Sequence, residues 1–375
     1  MASKPPLHPS LSLSIILALM TPLMAIDKLP PLPERSGTVT IPAQEWPFKP
    51  GPREIAVHIR YPAPGGSIRD VRKDTGLMLS LHNWGGVGFN GSADGGSLAN
   101  QFNVVAIGVD YLQSGPDAAI KAPEPYDFGW LQALDALRAL HYVFDSLKEK
   151  GIPFDSSRIF TTGGSGGGNV SLMANKLAPR TFTAVIDMCG MKKLSDDIAF
   201  NEPRGSSLNA RYSRDPQDPF YLSPDAQELR IVGNPKHLAL MKDLGCTAKI
   251  ITVHGVDDAS CLFVDAQEFA DTMKASGLDF TFIPVTPDML DGKVFSTTGH
   301  PLGNRTLIVG QVAGKFLDSK SPDAIRRSGL TDFERKEDVR YPTTNGSWII
   351  NYSKGYPEGR FEPSVTQSNL SNTSQ

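Results

Sequence analysis

A serine framed by glycines, Gly163-Gly164-Ser165-Gly166-Gly167, stands between a short apolar run at residues 158–161 and a helical pattern that opens near residue 169. This is the G-x-S-x-G spacing of a nucleophile held on a tight strand-to-helix turn. Glycines suit such a turn because, without Cβ, they let a strand and the following helix approach closely. Two other uses of a Gly-rich turn fail here. Counting from Gly164, the sixth position is Asn169, so G-x-G-x-x-G is not met, and no Gly-Lys-Ser/Thr ending follows. A purely structural turn is the remaining alternative. A serine hydroxyl is a poor nucleophile until a neighbouring imidazole takes its proton, so the reading needs a histidine and a carboxylate.

Chain order narrows the search, because on this kind of turn the acid and then the histidine follow the serine. His300, in Thr297-Thr298-Gly299-His300-Pro301, is the only histidine after residue 254 and lies beyond the last predicted strand. It is the candidate base. The acid is expected at the end of the strand that runs into His254-Gly255-Val256-Asp257-Asp258. Asp258 is the first choice, Asp257 the reserve, and Asp187, which ends another strand, the third candidate. Backbone N–H groups of Gly166 and of Trp84, in Leu81-His82-Asn83-Trp84-Gly85-Gly86, are placed to meet a developing oxyanion. Preorganised donors of that kind are worth about 3–4 kcal/mol each in the transition state. His82 is read as ordering its loop and not as the base. Trp84, Phe89, Tyr111, Tyr126 and Trp130 flank strand ends, where some could line a pocket, although aromatic residues are more often plain core.

The elements that must carry these residues are apolar bursts alternating with helical stretches. Residues 54–61 alternate apolar and polar, as a half-buried strand does. Residues 77–81 and 104–109 are short and nearly continuous, as strands buried on both faces are. Residues 130–148 repeat apolar side chains at helical spacing. Further strands are expected at 158–161, 184–188, 249–253 and 280–283, with helices at about 169–177, 263–275 and 307–317. Alternation of this kind predicts a mostly parallel sheet with helices on both faces, and ligands bind such sheets beyond the carboxyl ends of the strands. Each candidate residue sits just past a strand. Residues 194–245 break the alternation and are expected to insert as a cap over that edge.

Composition is that of a globular chain: 375 residues, 40% hydrophobic, 21% charged, formal net charge −3. Nothing in that balance resembles a footprint for nucleic acid. Lys4, an apolar run at 11–20 and Ala25 read as a signal peptide over residues 1–25, which implies a secreted or periplasmic protein without stable membrane insertion. Leu23 departs from the small-x-small preference before the cut, so an uncleaved tether is the alternative. The cysteines, Cys189, Cys246 and Cys261, have neither the number of a disulfide scaffold nor the spacing of a metal site. A bridge between Cys189 and Cys261 and a pair of plain core thiols are both open.

Taken in order, His82-Asn83-Trp84-Gly85-Gly86, Gly163-Gly164-Ser165-Gly166-Gly167, His254-Gly255-Val256-Asp257-Asp258 and Gly299-His300 resemble the α/β-hydrolase superfamily, closest to its prolyl-oligopeptidase-like and dienelactone-hydrolase-like esterase branches. The resemblance implies an α/β-hydrolase fold, a Ser165–His300–Asp258 triad, a covalent acyl-serine, and no metal or organic cofactor. Asn83 stands where many relatives have glycine, which leaves the second oxyanion donor open. The expected organisation is a signal peptide at 1–25, a Pro-rich lead-in at 26–53, a catalytic domain at 54–318 that includes the insert at 194–245, and a polar, partly disordered tail at 319–375. The expected substrate is a small-molecule or polymer-linked carboxylic ester, because the lead-in has no room for the propeller domain that screens prolyl-oligopeptidase-like peptidases. A peptidase of that type and a non-catalytic binding protein on the same scaffold are the alternatives.

Overall fold

The computed structural model describes residues 29–203 and 205–364; the expected signal peptide and the end of the expected tail lie outside them. In chain order the elements begin with β1 (Gly37–Ala43), β2 (Arg53–Arg60), β3 (Gly76–Leu81), α1 (Gly95–Phe102), β4 (Val104–Asp110), α2 (Leu131–Glu149), β5 (Ile159–Gly164), α3 (Gly166–Leu177) and β6 (Ala184–Met188). There follow α4 (Asp196–Phe200), α5 (Pro224–Leu229), α6 (Pro235–Asp243), β7 (Lys249–Gly255), α7 (Phe263–Ser276), β8 (Phe280–Val285), α8 (Arg305–Leu317), α9 (Asp332–Arg335), β9 (Val339–Pro342), β10 (Gly346–Asn351) and β11 (Glu358–Pro363). Local chemistry marks several ends. Asp94 accepts from Ser97 N at the start of α1, Ser223 precedes Pro224 and accepts from Ala226 N at α5, and Asn304 accepts from Leu307 N at α8.

Eight strands form one sheet in the order β1-β2-β4-β3-β5-β6-β7-β8. The β1–β2 and β2–β4 pairs are antiparallel and the remainder parallel. Side chains alternate across it. Leu77, Leu79, Val105, Val185 and Ile250 face a core closed by α2, α3, α6 and α7 through Leu137, Met173, Met241 and Phe269. Met78, Ala106, Phe160, Ile186 and Ile251 face a second core closed by α1 and α8 through Phe102, Ile308 and Leu317. Each fully buried aliphatic side chain of this kind contributes about 1.5–3 kcal/mol relative to exposure. The register sets Leu81 opposite Gly163 and Gly164 opposite Met188, so the carboxyl ends of β3, β5 and β6 lie side by side.

Three segments differ from expectation. The Pro-rich lead-in contains β1, which pairs with β2 along its whole length, so the sheet begins before residue 54. The insert divides in two. Ile198, Ala210, Tyr212 and Leu222 form a small apolar cluster with Tyr126, Phe128 and Cys261 beside the sheet's carboxyl edge, whereas α6 is a crossover helix packed on α7. Residues 319–364, expected as a polar tail, fold into α9 and a three-stranded antiparallel sheet, β11-β10-β9. That sheet buries Tyr341 and Tyr352 against the end of α3, where the Tyr352 hydroxyl donates to Leu177 O at 3.0 Å and that of Tyr341 donates to Lys176 O. Among the described residues, no helix is long and apolar enough to cross a membrane.

Candidate active site

Ser165 sits between β5 and α3 with φ 57° and ψ −121°, a left-handed conformation unfavourable for any residue with a Cβ. The surrounding backbone holds it there. A Cβ on Gly163 would stand 2.2 Å from Gly167 O, and one on Gly167 would stand 2.0 Å from Leu81 O. These two contacts explain the flanking glycines: α3 begins in van der Waals contact with the ends of β3 and β5. The serine is 7% exposed.

His300 reaches this serine from the loop before α8. Its Nε2 is 2.8 Å from Ser165 Oγ and its Nδ1 is 2.8 Å from Asp258 Oδ2. Since the carboxylate can only accept, Nδ1 carries the proton and Nε2 is free to accept from the serine hydroxyl. Backbone bonds from Ser296 N and Thr297 N to the buried Leu302 fold the histidine's loop back on itself.

Asp258 lies just past β7 with a buried side chain. Its Oδ1 accepts from Ser260 N and Cys261 N, both at 2.9 Å. Its Oδ2 faces His300 and also His254, whose Nε2 is 3.3 Å away and donates to Cys261 O at 2.7 Å. Burial opposes charge on this carboxyl, but the hydrogen bonds from His254 and His300 outweigh it and hold it well below the usual carboxylate range.

The other two carboxylates are engaged elsewhere. Asp187 is fully buried and accepts from Lys192 Nζ at 2.5 Å, Gly190 N at 2.9 Å and Thr252 Oγ1 at 3.0 Å. Asp257 bonds to Thr298. The structure therefore brings Asp258, and neither Asp187 nor Asp257, to His300.

Beside the nucleophile the two expected donor residues, Gly166 and Trp84, are neighbours. Gly166 is the first residue of α3, so its N–H precedes the first intrahelical bond. A Cβ built on Gly166 would stand 2.8 Å from Trp84 N, which places the two peptide groups together. Asn83 turns the loop: its carbonyl accepts from Gly86 N at 2.9 Å and from His82 Nδ1 at 2.7 Å. His82 is fully buried, and burial lowers its pKa to about 4, so it is a neutral loop brace.

Of the flanking aromatics, Tyr111 and Trp130 are core residues, and Tyr126 stacks on Trp84 with ring centroids 3.7 Å apart. Arg305, whose guanidinium lies over Gly164 and donates to Gly91 O, had no signal in the sequence beyond residue type; His254 stood there only as part of the acid's motif and Tyr126 only as a possible pocket aromatic. Cys189 and Cys261 are free, buried thiols. Possible ligand atoms of Cys189, Asp258 and His300 lie within 4.8 Å of one another, but the carboxylate and imidazole already bind each other and burial keeps the thiol protonated.

Residues 138–289 match the model of the prolyl oligopeptidase family, a span that includes Ser165 and Asp258 and stops short of His300. Among solved structures, a puromycin-hydrolysing peptidase of Mycobacterium tuberculosis is 17% identical with a TM-score of 0.50, covering 77% of this chain and 40% of that one. An acylaminoacyl peptidase bound to Z-Gly-Gly-Phe-chloromethyl ketone is 14% identical with a TM-score of 0.50, over 79% and 43%. An arylesterase is 19% identical with a TM-score of 0.43, over 77% and 84%. The chain thus spans about two fifths of the length of the two peptidases, and at these identities the likeness is one of fold. No curated protein matches it. Strand order and family match agree: the chain has the α/β-hydrolase fold, and residues 138–289 within it match the prolyl oligopeptidase family.

Proposed function

We propose that this chain hydrolyses carboxylic esters through an acyl-serine intermediate on Ser165. The observation that carries the reading is the continuous hydrogen-bonded row from Ser165 Oγ through His300 to Asp258, with the serine held at φ 57°. In the first half-reaction Ser165 Oγ attacks the substrate carbonyl carbon while its proton passes to His300 Nε2. The carbonyl oxygen becomes negative beside the N–H groups of Gly166 and Trp84. As the tetrahedral centre collapses, the bond to the leaving oxygen breaks and His300 returns the proton to it. Water then attacks the acyl-serine by the same route and restores the enzyme. Asp258 fixes the imidazole tautomer and stabilises its charged form at each passage.

The rim of the site supports an ester with an apolar group. Ile120, 59% exposed, lies against Gly85, and Val87, 45% exposed, belongs to the same loop pair beside Trp84. An ester also carries a better leaving group than an amide and asks for less positioning of an amine. The test compares kcat/KM on short-chain p-nitrophenyl esters with that on proline-containing peptide anilides. Efficient anilide cleavage with negligible ester turnover would make the chain a peptidase. Failure to react with a fluorophosphonate probe would favour a non-catalytic binding protein.

A further inference from the structure

We propose that a cavity between α2, α9 and the turn joining β10 to β11 is a binding site for a free aromatic amino acid. None of its residues belongs to the triad or to the loops that carry it. The cavity measures about 260 Å³. That is below the roughly 300–1,000 Å³ of sites for drug-sized ligands, so its occupant is small. The floor is aromatic. Phe144 and Phe333 are buried there with ring centroids 5.9 Å apart, and the imidazole of His141 stands edge-on to Phe333 at 5.3 Å.

Two observations point to a ligand on this floor. His141 is 7% exposed, yet neither ring nitrogen forms a hydrogen bond with a described residue. Neither is sealed off either, as Nδ1 of His237 and of His254 are. Burial lowers the pKa of His141 to about 4, so near neutral pH the ring offers one N–H donor and one acceptor. Gly355 supplies the second observation: a Cβ there would stand 2.6 Å from His141 Nε2, at φ 89°. The turn needs glycine for that angle, and the missing Cβ leaves this side of the imidazole uncovered.

The rim sets the charge of the occupant. Lys148 bonds to Glu334 at 2.5 Å, and Lys354 to Glu358 at 3.0 Å. Lys336 and Asp145 are exposed, form no ion pair among the described residues, and lie close enough for both charges to act on His141. A simple anion would gain Lys336 but meet Asp145. A zwitterion satisfies both. An amino acid carries the two charges on one carbon, its carboxylate toward Lys336 and its ammonium toward Asp145, which leaves its side chain to enter the aromatic floor. A hydroxyl at the tip of that side chain would meet His141, so tyrosine suits the cavity better than phenylalanine.

The test is calorimetric titration of the full chain with L-tyrosine and L-phenylalanine, beside 3-(4-hydroxyphenyl)propionate, which lacks the ammonium, and tyramine, which lacks the carboxylate. Saturable binding of L-tyrosine at one site is expected, with a higher melting midpoint in its presence. Loss of either charge from the ligand should weaken binding by about tenfold or more, the effect of one charge-assisted hydrogen bond. Lys336→Met and Asp145→Asn, both on the rim, should each weaken tyrosine by about tenfold and leave the melting midpoint of the free protein unchanged. His141→Phe should reduce the affinity for tyrosine to that for phenylalanine; should this variant not melt cooperatively, the two rim variants decide. Absence of saturable binding by either amino acid at millimolar concentration overturns the proposal and leaves the cavity to water. Parent-like affinity in both rim variants overturns it too, since the amino acid would then bind elsewhere. Propionate binding as tight as that of tyrosine would also overturn it, making the cavity a site for simple carboxylates.

Discussion

Asp257 and Thr298 hold each other twice: Asp257 N donates to Thr298 O at 3.0 Å, and Thr298 Oγ1 donates to Asp257 Oδ2 at 2.5 Å. One aspartate of the Asp257-Asp258 pair thus clasps the loop of His300, while the next receives the imidazole itself. Adjacent carboxylates that look interchangeable in sequence divide the work of positioning and of charge.

The three carboxylates are therefore expected to fail differently when each is changed to asparagine. Asp258→Asn should lower kcat by about 10³- to 10⁴-fold, since an amide there favours the wrong imidazole tautomer. Asp257→Asn keeps an acceptor for Thr298 and should cost less than about tenfold. Asp187→Asn strands the buried Lys192 ammonium and should reduce stability by about 3–5 kcal/mol. Ester turnover and denaturant melts on the three proteins check this, and a larger kcat loss in Asp257→Asn than in Asp258→Asn would refute the division.

Ser165→Ala should eliminate fluorophosphonate labelling and ester turnover while leaving the melt unchanged, because the left-handed backbone persists and only one oxygen is lost. His300→Ala should come close to the same residual rate, since groups that act as a unit give non-additive losses. A double variant much slower than either single one would argue that serine and histidine act independently.

Gly255 offers a test of the loop geometry. A Cβ there would stand 2.0 Å from Thr298 O, and the obstacle is backbone. Gly255→Ala is expected to displace the histidine's loop, cost about 1–3 kcal/mol of stability and lower kcat by more than KM changes. Parent-like kcat in a protein with a parent-like melt would show that the loops separate freely.

Stability should fall steeply in mild acid. Burial lowers the pKa of His82 and His141 to about 4 and, with help from nearby Lys176, that of His237 to about 3, against an unfolded value near 6.5. The unfolded chain binds more protons between those limits, so the stabilising contribution is complete above about pH 6.5 and is lost as pH drops toward 4 and below. Each proton adds about 1.4 kcal/mol per pH unit to the slope. Asp258, whose pKa is also lowered, adds the same sign only below its unfolded value near 3.9. Denaturant melts at pH 7, 6, 5 and 4 measure the slope, and a flat profile would contradict neutral burial of these imidazoles.

The parts of the site that lie just past buried strands could be read from the chain, because strands buried on both faces are unbroken apolar runs and the turn after them is marked by glycine or aspartate. Ser165 and Asp258 are of this kind; His300, fifteen residues past the half-buried edge strand β8, was legible from chain order instead. Tyr126 is not, since its stacking on Trp84 joins segments far apart in sequence; His254 lies in the acid's own motif, but nothing there marks the turn that brings its ring to Asp258. β1 was hidden by Pro42 and by being an edge strand with a single partner, so that only Ile41 along it is buried. β9, β10 and β11 were hidden by brevity and polarity, since a handful of residues such as Val339, Tyr341, Ile349 and Ile350 carry their burial.

The three-stranded sheet fastens the far end of the helix that begins at the nucleophile. Tyr341 and Tyr352 bond to the carbonyls of Lys176 and Leu177, some 165 and 175 residues earlier in the chain. During synthesis, at roughly 5–20 residues per second, β5 and α3 leave the ribosome many seconds before those tyrosines exist. Through that interval the carboxyl end of α3 lacks its native cover, and closing loops of such length is slow. The nascent chain therefore holds the carboxyl end of α3 uncovered until the segment bearing Tyr341 and Tyr352 has emerged.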